Sequence, residues 1–107
     1  MARRPGWATL AVLKAIASGY RHGFDIIDIT GLAGGTVYPV LARLESEGRV
    51  ISRWEDARIA QEEGRPPRRY YELRPSGERL LDDMSRQFRA LERLPSRPRV
   101  RAHPRKA

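Results

Sequence analysis

The apolar residues of this chain change period twice, and that change limits the fold more than any single residue does. Up to Gly48 the period is helical. Residues 7 to 17, WATLAVLKAIA, set Leu10, Leu13 and Ala17 on one stripe with Val12 and Ile16 beside it, and Ser18-Gly19 ends that helix. RHGFDIIDIT starts a second, short helix, with Phe24 and Ile27 inward, Asp25 and Asp28 toward water, and Gly31 as its stop. Val37, Val40, Leu41 and Leu44 then fall at i, i+3, i+4 and i+7, the buried face of a third helix.

From Arg49 the pattern alternates. In RVISRWE, Val50, Ser52 and Trp54 share one face and Ile51 takes the other, which is a strand. RRYYELR is a second strand, with Tyr71 and Leu73 on a common face, and the polar DARIAQEEGRPP between them reads as the loop of a hairpin. At Pro75 the helical period returns, and Leu81, Met84, Phe88 and Leu91 follow at spacings of 3, 4 and 3 before Pro95 ends the run. Helix, helix, helix, hairpin, helix is the order of a winged helix-turn-helix, a mostly α fold with a small two-stranded antiparallel wing. It divides the chain into a winged unit at 1–74, a C-terminal helix at 75–94, and a tail at 95–107 too rich in Pro and Arg to fold alone.

Pro39 falls inside the third helix, where a proline ordinarily costs ~3 kcal/mol. The cost is small in the first turn, whose N–H groups have no helical partner. Pro39 therefore puts the helix start near Gly35 or Thr36. Thr36, Tyr38, Pro39 and, one turn on, Arg43 then stand at its open end. In a helix-turn-helix that end enters the major groove, and its positive dipole favours phosphate. Arg65, Arg68 and Arg69 cluster where the second strand begins, beside Tyr70, placed to straddle the backbone next to that groove. Glu62 and Glu63 would repel phosphate, so the middle of the loop is not expected to touch DNA.

The net charge of +8 needs to be located before it is interpreted. Between residues 5 and 94 fourteen basic residues face thirteen acidic ones, so the excess lies in the two ends. The tail alone, with five cations and no acids, suits phosphate neutralisation without base reading. Cysteine is absent, which excludes disulfides and thiolate metal sites. No glycine-rich phosphate loop or metal spacing occurs. His22 and His103 are the only histidines, and neither belongs to a carboxylate or hydroxyl motif. The sequence thus points to a non-enzymatic, cofactor-free protein, cytoplasmic and without a membrane partner.

HGFDIID, GGTVYPVLARLESEGRVISRWE and EGRPPRRYYELRPSGERLL together resemble, in order and spacing, the PadR family of bacterial transcriptional regulators, over about residues 9 to 82. The resemblance implies a winged-helix domain bound to double-stranded DNA, with Tyr38 and its neighbours at the reading end of the third helix. It also implies a homodimer through the C-terminal helix and, usually, repression. The seam Leu81, Met84, Phe88 and Leu91 spans barely two heptads, so it would need help from the first helix, where Trp7 sits. The expected whole is a dimeric repressor on a palindromic operator. A winged helix that binds protein instead of DNA is the alternative. Relatives that bind aromatic effectors do so near the dimer interface, where Trp7 is open to either packing or sensing. Two positions depart from the family pattern: Gly34 stands where a serine cap is common, and Arg74-Pro75 leaves Ser76 or nothing to cap the last helix.

Overall fold

Residues 6–97 are described by the computed structural model, so Arg3, Arg4 and most of the expected basic tail lie outside the described residues. The elements run α1 (Trp7–Ala17), α2 (Gly23–Thr30), α3 (Gly34–Ser46), β1 (Val50–Trp54), α4 (Ala57–Glu62), β2 (Arg69–Leu73) and α5 (Pro75–Glu92).

The core is built around α1, which packs against α2, α3, β2 and α5. It buries Thr9, Leu10, Val12, Leu13, Ala15 and Ile16, most of its circumference rather than one stripe. Ala17, expected on that stripe, is exposed at the helix end. In α2 the inward positions are Gly23 and Ile26, with Ile27 half-buried against the core. Phe24, expected inside, is 74% exposed. An eight-residue helix has too few turns for its apolar positions to fix which face turns inward, and contact with α1 and α3 decides it. Gly31 closes the helix with φ 71°, as a C-terminal glycine should.

α3 begins at Gly34, earlier than expected, with Ala33 rather than Gly34 as its cap and no side-chain hydrogen bond there. Pro39 is therefore the sixth helical residue and lies outside the first turn. What it forgoes is the bond to the Gly35 carbonyl. Gly35 is exposed, and no atom comes within 4 Å of where its β carbon would be. Water can donate to that exposed carbonyl, so the proline is tolerated one turn late. Val37, Leu41 and Leu44 are fully buried, as their spacing predicts. The helix closes at Gly48, φ 72°, with the Arg49 N–H donating to the Leu44 carbonyl at 2.8 Å.

The wing pairs β1 and β2 antiparallel, from Val50 opposite Leu73 to Trp54 opposite Arg69. The Tyr71 N–H also donates to the Arg21 carbonyl at 2.8 Å, and His22 bridges to Tyr70, so the chain before α2 adds a stub of third strand. The expected loop between the strands contains α4. Asp56 caps it by accepting from the Arg58 N–H at 2.8 Å, and Ala60 is fully buried beneath it. Asp, then Ala-Arg-Ile-Ala-Gln-Glu-Glu, then Gly is a cap, a run of helix formers and a stop, masked by its polarity.

α5 starts with Pro75 in its first turn, and no side chain caps it. It is anchored instead from the turn after α3. The Arg74 N–H donates to the Arg49 carbonyl (2.9 Å), Ser76 Oγ to the Gly48 carbonyl (2.9 Å), and Arg49 Nη1 to the Ser76 carbonyl (3.0 Å). Met84 is buried, Leu80, Leu81 and Phe88 pack partly against the core, and Leu91 is exposed. Among the described residues no helix is long and apolar enough to cross a membrane.

Candidate nucleic-acid interface

The N-terminal ends of α2 and α3 meet the wing on one face. Tyr38, 45% exposed, lies in the second turn of α3, and its ring folds back over Gly23 at the start of α2. A β carbon at Gly23 would stand 2.5 Å from Tyr38 Oη and 2.6 Å from Cε1, so only glycine leaves room for the ring. The missing side chain at Gly23 is what lets the Tyr38 ring lie there. Pro39 is exposed beside it and Thr36 is half-buried in the turn before. These three are together at the open end of the helix, as expected.

Arg43 is not with them. Its Nη2 donates to Thr9 Oγ1 of α1 at 2.5 Å, and its Nε lies 3.8 Å from Glu47. One turn beyond Val40 the helix has rotated this position toward α1, where the guanidinium satisfies the buried Thr9 hydroxyl while much of the side chain stays exposed.

The wing cations also divide. Arg65 was expected at the DNA face, but it forms a two-pronged pair with Glu55, Nη1 to Oε1 at 2.6 Å and Nη2 to Oε2 at 2.8 Å, and a second ion pair with Glu63 at 2.7 Å. Its side chain is mostly buried, and this pairing stitches the end of β1 to the turn after α4. The Arg65 hydrogen bonds hold the Glu55 carboxyl at about 2, below its ordinary 4.5, helped by donation from the Tyr70 hydroxyl at 3.1 Å and the Arg68 N–H. Burial of Glu55 opposes this and loses. Tyr70 thus supports the wing from within, edge-on to the His22 ring at 5.5 Å.

Arg69 lies against β1, with Nη2 3.1 Å from Glu45 and Nε donating to Ser52 at 2.9 Å. Its guanidinium also covers the Trp54 and Tyr71 rings at 5.9 and 5.8 Å. Arg68 is exposed, and among the described residues no carboxylate pairs with it; its Nη1 stands 3.4 Å from His22 Nε2. Of the three expected arginines it is the one free to meet a phosphate. Sequence reasoning missed Phe24 and Trp54, 74% and 69% exposed, which flank the same face. Helical spacing assigns Phe24 inward and alternation assigns Trp54 to a strand face, and neither pattern tells an exposed aromatic from a buried one.

Elsewhere, the seam residues separate. Met84 belongs to the chain's own core and Leu81 rests partly on it, while Phe88 is half-buried with its ring 5.8 Å from that of Trp7. Trp7, Leu91 and Leu94, all more than 60% exposed, leave an apolar strip along α1 and the end of α5. Among the described residues no cluster of three or more His, Asp or Glu could hold a metal ion.

The model of the transcriptional regulator PadR-like family matches residues 12–83. Among solved structures, a PadR family transcription regulator from hypervirulent Clostridium difficile is 23% identical, with a TM-score of 0.70 over 81% of this chain and 92% of that one. A PadR-like transcription factor from Bacteroides fragilis is 24% identical, with a TM-score of 0.65 over 78% and 82%. Bordetella bronchiseptica BpsR, whose DNA binding is regulated by 6-hydroxynicotinic acid, is 19% identical, with a TM-score of 0.66 over 82% and 62%. At these identities the likeness is one of fold. No curated protein sequence matches the chain.

Proposed function

The chain belongs to the PadR-like family of DNA-binding transcriptional regulators, and from that premise we propose that it is a homodimeric repressor reading a palindromic operator with the face formed by α2, α3 and the wing. Tyr38, Thr36 and Pro39 enter the major groove at the positive end of α3, and Arg68 meets the flanking phosphates. Trp54 and Phe24 lie against the sugar-phosphate edge on either side. The chain acts by binding alone and catalyses no reaction.

The observation that carries this reading is the place of Tyr38 over Gly23, an exposed ring and hydroxyl near the start of α3 in front of the wing. The strip of Trp7, Leu91 and Leu94 beside Phe88 is the surface that pairs two copies, setting half-sites about one turn (~34 Å) apart. Regulation of DNA binding by a small molecule has a precedent in the fold through BpsR. Trp7 beside Phe88 offers an aromatic contact for one at the dimer seam. The test is a gel shift of the full chain on fragments upstream of its own gene at fixed salt, with Tyr38→Ala as comparison. A discrete complex weakened by Tyr38→Ala supports the reading; equal binding by both proteins removes α3 from it.

A further inference from the structure

We propose that Glu45 limits the chain's sequence-independent affinity for DNA by holding Arg69 away from phosphate. The role rests on the DNA face proposed above and concerns one cation within it.

Glu45 comes seven residues after Tyr38, so the two share one stripe of α3, two turns (~10 Å) apart. Ala42, between them on that stripe, is exposed. A carboxylate there would repel a polyanion unless it had a partner of its own. It has two. Glu45 Oε1 accepts from Arg69 Nη2 at 3.1 Å, and Oε2 accepts from the Ser52 hydroxyl. Arg69 Nε donates to the same Ser52 oxygen at 2.9 Å. A closed ring of three hydrogen bonds therefore links α3, β1 and β2, and both carboxylate oxygens are used.

Arg69 opens on the same face as Tyr38 and Arg68. Its side chain is 44% exposed and that of Glu45 34%, so a ligand at the surface can compete for either. To meet a phosphate, Arg69 would give up Glu45, Ser52 and its cover over the Trp54 and Tyr71 rings. It would also leave the carboxylate facing the duplex. The Glu55–Arg65 pair differs, because the Glu55 side chain is only 4% exposed and braces the wing from inside. Arg68 is thus offered to the DNA backbone while Arg69 is withheld. A phosphate contact carries no sequence information, and each one adds affinity for any duplex. Withholding one cation weakens the grip on random DNA and leaves recognition to the base contacts of α3.

The experiment measures binding of the full chain to a fluorescent random-sequence duplex by anisotropy at several salt concentrations. Glu45→Ala should bind roughly fivefold tighter at about 0.1 M salt, and the magnitude of the slope of log K against log salt should rise by about 0.9, one further phosphate. Alanine suits a helix, and an unchanged circular dichroism spectrum checks that α3 persists. Glu45→Gln keeps the side-chain length and loses only the charge; it should move both values the same way by less. In Glu45→Ala combined with Arg69→Ala, both should return to those of the wild type. Asp82→Ala, at an exposed carboxylate on α5, changes the net charge equally and should leave the slope in place. A slope unchanged or reduced in Glu45→Ala, a gain that survives removal of Arg69, or an equal gain in Asp82→Ala would overturn the proposal. Arg68→Ala separates that failure from failure of the DNA face. A slope lowered by about 0.9 in Arg68→Ala keeps the face, whereas a slope unmoved in both Arg68→Ala and Glu45→Ala removes the face and the proposal together.

Discussion

The ring of Tyr38 occupies the space that a side chain at residue 23 would need, with its Oη 2.5 Å from the position of a Gly23 β carbon. Gly23→Ala must therefore turn the ring outward. A tyrosine side chain can rotate, so the fold should survive. Tyr38→Ala should cost ~1–3 kcal/mol of operator affinity, and Gly23→Ala a large part of the same amount. In the Tyr38→Ala background Gly23→Ala should add nothing, a coupling that a double-mutant cycle of binding constants measures. Additive losses would separate the two residues.

Gly77 poses the opposite case. A β carbon there would collide with the Arg49 carbonyl oxygen, a backbone atom in the turn that anchors α5. Nothing nearby can rotate away. Gly77→Ala should destabilise the chain by ~1–3 kcal/mol or more, read as a lower midpoint in urea, although alanine is the better helix former.

The Glu55–Arg65 pair makes the wing sensitive to acid. The folded carboxyl titrates near 2, below its ordinary 4.5. Its contribution is complete above about 4.5, declines as the pH falls below that, and is lost as the pH passes through about 2. The protection factors of the Arg69–Leu73 amides, corrected for intrinsic exchange at each pH, should fall over that window. Glu55→Gln should exchange faster at neutral pH and show little further change on acidification. A wild-type wing equally protected at pH 5 and pH 2 would contradict this.

Two neighbouring arginines should behave differently with salt. Arg68→Ala should reduce the magnitude of the slope of log K against log salt by about 0.9, one phosphate contact, without changing the melting temperature. Arg65→Ala should lower the melting temperature by loosening the wing, and leave a buried carboxylate unpaired. Fluorescence anisotropy at several salt concentrations, beside calorimetry, distinguishes them.

On α5 the same substitution should have opposite meanings at two sites. Met84→Glu puts a charge into the core and should unfold the chain. Leu91→Glu with Leu94→Glu alters exposed residues only, so helix content should persist while sedimentation reports a monomer. A double variant that still sediments as a dimer would move the pairing surface off the end of α5.

Elements with several turns or a clear alternation could be read from the sequence, because their apolar spacing and their burial have the same cause. α1, β1 and β2 fall where the pattern puts them, and Val37, Leu41 and Leu44 are buried as spaced. What the pattern could not hold was set by partners far along the chain. Phe24 is outward because contacts with α1 and α3 fix the face of an eight-residue helix. Arg43 and Arg65 look like DNA ligands in a string of letters, yet Thr9 and Glu55, 34 and 10 positions away, engage them. Charge near a presumed contact surface predicts a contact only after its internal partners are subtracted.

Because α1 is wrapped by α2, α3 and β2 and then by α5, its packing is completed only by an element far along the chain. During translation the side of α1 that packs on α5 must wait uncovered until α5 has left the ribosome. The proposed reading face and the proposed pairing strip share that core, so neither has an independent folding history. A nascent or truncated chain without α5 should be a target for chaperones and proteases rather than a monomeric DNA binder. The cell then meets this regulator only as a finished unit.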